Sequence, residues 1–180
     1  MTKYLSVISL VFLLCFVIGC QDKAAMAELE QFKAQTETEG KNKALVERLM
    51  GELSKGNADI LYELYAPDYA WYYPSSSNIP MSREVIKQTI EDVYKAFPDI
   101  TWNIEELIAV EDKVINRFVL KGTQEGEFRG IPATGNKIEV SAILITRIEN
   151  GKIVEDRENS DLLGWMQQLG MELKPKEAGK

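Results

Sequence analysis

Asp161 stands at the start of what reads as the final helix of a 180-residue chain, one of 28 acidic side chains. There is no histidine, so histidine proton shuttles, Ser-His-Asp and Cys-His catalysis and histidine-ligated metal sites are excluded. A carboxylate becomes a useful base near neutral pH when an apolar pocket raises its pKa. At the start of that helix the negative charge of Asp161 has a use of its own, because it stabilises the helix dipole. Tyr62, Tyr65, Trp71 and Tyr73 read either as the lining of a cavity mouth or as plain core, since aromatic residues at helical and strand spacing serve both. Asn116 and Arg117 sit inside an apolar strand as candidate ligand contacts. Arg117 suits an acidic ligand group or a buried Arg–Glu pair.

The elements that must position these residues follow from periodicity. Leu45, Leu49 and Leu53 recur every four residues with Val46 and Met50 beside them, which predicts a helix from about Asn42 to Ser54. A short second helix, capped by Asn57, runs through Tyr65 to the stop at Pro67. Tyr69 to Tyr73 is an aromatic, β-prone strand. Ser82 opens a third helix carrying Ile86, Ile90, Val93 and Phe97 on one face, and Pro98 closes it. From Ile100 onward the period is two. Strands are expected over 101–110, 114–123, 138–149 and 152–157, the last two joined by the Asn150-Gly151 hairpin. A final helix runs from about Asp161 to Leu169. The glycines from Gly126 to Gly135 read as turn and bulge devices, and Glu125 and Glu127 as solvated. Helices followed by an antiparallel meander form an α+β plan: a curved antiparallel sheet wrapped on N-terminal helices into a cone-shaped barrel that encloses a pocket.

The first twenty residues carry a separate message. Lys3 precedes an apolar run from Tyr4 to Ile18, shorter than the roughly 20 residues a membrane-spanning helix needs. It ends in Val17-Ile18-Gly19-Cys20, which resembles a lipobox: a branched residue, a tolerant position, a small residue and the cysteine that accepts the lipid. Residues 1–19 are therefore expected to be a signal peptide, and Cys20 the lipidation site of a protein anchored in the bacterial cell envelope, at the outer membrane or periplasmic face. Residues 20–41, polar and thin in large apolar side chains, read as a tether with Gly40 as a break. The folded domain is placed at 42–173 and a polar tail at 174–180. Both cysteines, Cys15 and Cys20, lie in this segment, so the domain carries no disulfide. Removing residues 1–19, which contain Lys3 and no acid, leaves 20 basic against 28 acidic side chains, a net of −8. That sign argues against nucleic acid as a partner and against charge-driven binding to an anionic membrane.

The segment Gly122-Thr123-Gln124-Glu125-Gly126-Glu127-Phe128-Arg129-Gly130-Ile131-Pro132-Ala133-Thr134-Gly135 carries a family likeness. Together with Pro98-Asp99, Arg147, Gly151 to Glu155, Asp161 and Gln168-Leu169-Gly170, it resembles the SnoaL-like polyketide cyclases, within the nuclear-transport-factor-2-like fold, from about Asn42 to Gly170. The resemblance implies a cone with a deep apolar pocket and intramolecular aldol ring closure without cofactor or metal. It further implies an aspartate near the end of the last strand as general acid/base, matched here by Asp161. Two positions depart from the family pattern. Gln124 replaces a histidine after the Gly-Thr pair; it can donate a hydrogen bond to a developing oxyanion but cannot carry a proton. Arg157 replaces a tryptophan four residues before Asp161. If it points into the pocket, it holds Asp161 as an ion-pair partner and weakens it as a base. The expected function is binding of a small, apolar, oxygenated molecule, with acid/base catalysis by Asp161 and oxyanion support from Gln124; the alternative is a non-catalytic ligand-binding or protein-interaction lipoprotein. By analogy of fold a homodimer is expected.

Overall fold

A four-residue apolar repeat places Val46, Leu49, Met50 and Leu53 on one helical face, and all four are buried. They belong to α1 (Thr2–Leu53) of a computed structural model, which describes the backbone of residues 2–172 and 174 and the side chains of residues 23–172 and 174. The expectations for residues 1–19, for the Cys20 side chain and for most of the 174–180 tail lie outside those side chains. The chain divides into two compact units, residues 1–38 and 39–180. The helix was expected to begin near Asn42 after a break at Gly40, yet Gly40 lies within α1. An isolated glycine costs about 1 kcal/mol against alanine, too little to interrupt a segment rich in Ala, Glu, Gln and Lys. Among the described residues no helix is long and apolar enough to cross a membrane.

In the second unit, α2 (Ile60–Leu64) leads directly into β1 (Tyr65–Tyr72), and α3 (Arg83–Ala96) follows. Next come β2 (Thr101–Val110), β3 (Lys113–Thr123), β4 (Lys137–Glu149), β5 (Lys152–Ser160) and α4 (Leu162–Gln168). The strands form one sheet in the order β1-β5-β4-β3-β2. The four later strands are the expected antiparallel meander. β1 adds a parallel pairing with β5, so the sheet is mixed and open, with β1 and β2 as its edges. The α+β fold is as expected. β1 reaches back to Tyr65 because the aromatic run is preceded by Tyr65 and Ala66, which are buried against the core and so extend the strand.

β4 has a simple pattern. Ile138, Val140, Ala142, Leu144, Thr146 and Ile148 face inward and are buried, while Lys137, Glu139, Ser141, Ile143 and Ile145 face outward. α3 covers the sheet at β1, α4 lies against β4, and Phe97, fully buried, joins α3 to the core. The end of α1 is fixed to the β2–β3 turn, where Asn42 Nδ2 donates to the Glu111 carbonyl at 3.1 Å and Glu111 N–H donates to Glu39 Oε1 at 3.0 Å.

Candidate active site

The inward face of the sheet and the helices opposite it enclose a cavity of about 760 Å³, its open mouth included, of which about 100 Å³ admits the centre of a water-sized sphere. Most of its wall is apolar: Leu49, Met50 and Leu53 from α1, Ile86, Ile90 and Val93 from α3, and Phe118, Leu120 and Leu144 from the sheet. All three tryptophans, Trp71, Trp102 and Trp165, line it. Among the described residues, two in the wall are charged, Glu158 and Arg129.

Glu158 reaches the cavity through a defect in β5. Ile148 pairs with Ile153 and Arg147 with Glu155, so β5 carries one extra residue there. The bulge reverses which residues face inward. Ile153 is fully buried, yet beyond the bulge the buried residue is Asp156, and Glu158 and Ser160 follow on the same face. Trp71 Nε1 donates to Glu158 Oε2 at 3.2 Å. Burial, and then the negative charge of Asp156, push the Glu158 carboxyl up to about 7, and the Trp71 hydrogen bond opposes them.

Asp156 lies fully buried beneath Glu158. Its Oδ2 accepts from Tyr65 OH at 3.0 Å and from Tyr69 OH at 2.9 Å, and its Oδ1 accepts from Thr146 Oγ1 at 2.6 Å. Burial raises its carboxyl to about 6 against the lowering effect of these three bonds. Burial and Asp156 hold both phenols well above their ordinary range, so they remain donors. Further along the same face the Tyr73 hydroxyl and Ser160 Oγ share one hydrogen bond at 2.6 Å, which leaves one of the two protons unused. Trp165 Nε1 is buried without a hydrogen-bond partner among the described residues.

The expected site residues separate into two groups. Tyr65, Trp71 and Tyr73 line the cavity. Tyr62 does not: it is exposed on α2, with the Arg83 guanidinium 4.7 Å from its ring centroid. Asp161, expected as the acid/base, is exposed and is not part of the cavity wall. It is the N-cap of α4, and its Oδ1 accepts from Gly164 N–H at 2.8 Å, the competing use its position offered. Gln124, expected as the oxyanion donor, is fully buried outside the cavity wall. Its Nε2 donates to the Ile131 and Pro132 carbonyls at 3.1 and 3.2 Å and its Oε1 accepts from Thr134 at 2.6 Å, so its amide holds the glycine-rich loop in shape.

Arg157 points away from the cavity. It donates to Glu155 Oε1 at 2.8 Å and to the Ser75 carbonyl at 3.1 Å, with its guanidinium 4.1 Å from the Tyr72 ring centroid. Arg117 is exposed on the outer face and pairs with Glu105 and Glu106; the pair is neither buried nor near the cavity. Asn116 is fully buried on the inner face, in the cross-strand row with Leu144 and Glu158, and both of its amide atoms lack a hydrogen-bond partner among the described residues.

The family profile for SnoaL-like polyketide cyclases matches residues 44–169. No curated protein matches the chain. Among solved structures, AclR from Streptomyces galilaeus, provisionally assigned as a hydroxylase, aligns at 25% identity with a TM-score of 0.68 over 73% of this chain and 97% of its own. IdmH from Streptomyces antibioticus, provisionally assigned as a polyketide cyclase, aligns at 28% identity with a TM-score of 0.64 over 72% and 99%. TsrD from Streptomyces laurentii aligns at 26% identity with a TM-score of 0.65 over 73% and 96%.

Proposed function

The chain belongs to the SnoaL-like polyketide cyclase family, and from that premise we propose that it closes a ring in a small, largely apolar, oxygenated molecule, with Glu158 rather than Asp161 as the acid/base. One observation carries the reading: the Glu158 carboxyl sits in the wall of an apolar cavity and is raised to about 7, where a carboxylate is both present and basic enough to take a carbon-bound proton. Glu158 removes a proton next to a substrate carbonyl, and the C–H electron pair becomes an enolate. The enolate carbon attacks a second carbonyl carbon of the same molecule, forming the C–C bond. The electron pair of that carbonyl moves to its oxygen, which recovers the proton from Glu158. The spare proton of the Tyr73–Ser160 pair and the unpartnered Trp165 N–H support the developing negative oxygen.

We further propose that the protein is anchored in the cell envelope. The apolar run ending in Val17-Ile18-Gly19-Cys20 supports cleavage before Cys20 and a lipid on that residue. Ile108, Ile115 and Ile145 form an exposed apolar row across β2, β3 and β4, and this supports a second copy of the chain pairing on the outer face of the sheet.

A substrate-independent test of the base is the elimination of 5-nitrobenzisoxazole, in which a base takes the ring C–H proton as the N–O bond opens to a phenolate. The wild-type chain should accelerate it, and Glu158→Gln should lower the rate by about 10²–10⁴, the range for a general base. An equal rate in Asp161→Asn and wild type should accompany that loss. If Asp161→Asn abolishes the reaction and Glu158→Gln does not, the assignment is wrong.

A further inference from the structure

The second charged residue of the cavity wall has no role in that chemistry. Arg129 sits between Phe128 and Gly130 in a two-residue hairpin turn, where Phe128 and Ile131 exchange both backbone hydrogen bonds at 2.9 Å. Both central residues have positive φ, 50° at Arg129 and 81° at Gly130, the signature of a type I′ turn. Asparagine is the residue such a turn prefers at the first position, so the turn itself does not account for an arginine.

The turn fixes where the guanidinium works. Thr89, Phe128 and Arg129 line both the cavity and the shallow groove outside it, which sets them at the cavity mouth. Arg129 lies 5.6 Å from the Phe128 ring centroid, and Phe128 stacks on Trp165 at 4.8 Å. Among the described residues no hydrogen bond or ion pair takes up its five donors, unlike Arg48, Arg117, Arg147 and Arg157, each of which faces a carboxylate. Trp165 in the same wall also has an unpartnered buried N–H. An apolar chamber whose mouth holds a planar cation with no carboxylate partner among the described residues is complementary to an apolar molecule bearing one carboxylate, which a guanidinium binds through two parallel hydrogen bonds.

We propose that Arg129 is a specificity residue that selects ligands carrying a carboxylate, holding that group at the mouth while the apolar body fills the cavity. This rests on the proposed small-molecule site and narrows its substrate class to organic acids. Arginine at the rim also orients the ligand: its far end, not its acid group, is presented to Glu158.

The test compares 2-naphthoate with 2-naphthamide, which share size and shape and differ in charge, by titration calorimetry on the full chain at pH 7.5. Wild type should bind the acid about tenfold more tightly than the amide. Arg129→Asn, which the turn favours and which should therefore fold, should bring the two to within about twofold by weakening the acid alone. Arg129→Lys, which keeps the charge but loses the planar fork, should retain part of the preference. The inference is overturned if wild type binds both equally, if it binds neither, or if the preference survives in Arg129→Asn. Equal binding of both leaves the proposed apolar site standing, whereas binding of neither removes that site as well.

Discussion

Trp71 on β1 and Glu158 on β5 meet across a parallel strand pair of the sheet, with the indole N–H 3.2 Å from the carboxylate. That contact stabilises the anion, while burial and Asp156 destabilise it, and the balance sets where Glu158 titrates. Trp71→Phe removes the stabilising part and keeps the ring. The Glu158 midpoint should rise by about one unit, the equivalent of a 1.4 kcal/mol hydrogen bond to a charged group. A pH titration of carboxyl resonances by carbon-13 NMR checks it; an unchanged or lower midpoint would count against the contact.

The two carboxyls with raised pKa values, Asp156 fully buried and Glu158 half-buried in the cavity wall, make stability depend on pH in an unusual direction. Asp156 and Glu158 have folded-state pKa values of about 6 and about 7, above their ordinary 3.8 and 4.5. The folded chain therefore holds more protons than the unfolded chain between about pH 4 and 7. Their contribution is fully present below that window and is lost as pH rises through it, on the order of 3 kcal/mol for Asp156. Asp92 and Asp99, whose carboxyls are held below their ordinary range, act at lower pH and do not offset it. Urea unfolding at intervals from pH 4.5 to 8 should show stability falling with pH, and Asp156→Asn combined with Glu158→Gln should flatten the profile.

Asp156, Glu158 and the fold around them were unequally legible in the sequence. The α3 helix and the strands β2 to β4 matched their expected bounds to within a residue, because long period-two and period-3.6 patterns overdetermine an element. The site was not legible in the same way. Counting by twos from the buried Ile153 sends Arg157 and Asp161 inward; the extra residue in β5 sends Asp156, Glu158 and Ser160 inward instead. A bulge leaves no mark in composition when its extra residue, Val154, is an ordinary strand former. Asp161, the position carried over by family resemblance, lies past the end of β5 and caps α4. Three of the four aromatic candidates reached the cavity because Tyr65 and Trp71 lie on strand β1 and Tyr73 directly follows it, while Tyr62 lies on the solvent side of α2.

Gly126 and Gly51 should respond oppositely to alanine. A Cβ at Gly126 would lie 2.4 Å from the Lys95 carbonyl oxygen, at the point where the Gly126 N–H bonds the end of α3. Gly126→Ala should destabilise by about 1–3 kcal/mol through overpacking against backbone. Gly51, on α1, has nothing within 4 Å of its added Cβ, and Gly51→Ala should stabilise by up to about 1 kcal/mol. Thermal unfolding of the two variants separates them by sign.

Export should depend on Cys20. Cys20→Ala is expected to leave an unlipidated precursor retaining residues 1–19, and labelling with a radioactive fatty acid should mark the wild type alone. Absence of label from the wild-type chain would refute the lipid anchor.

In the proposed reaction Glu158 is a carboxyl poised near neutrality inside the cavity. Difference infrared spectroscopy between wild type and Glu158→Gln isolates its protonated C=O band, and following that band against pH gives the midpoint directly. A half-titration near pH 7 is predicted. A midpoint at or below 4.5, the ordinary glutamate value, would mean that the group is solvated and fully ionised at neutral pH, and would contradict its assignment as the acid/base.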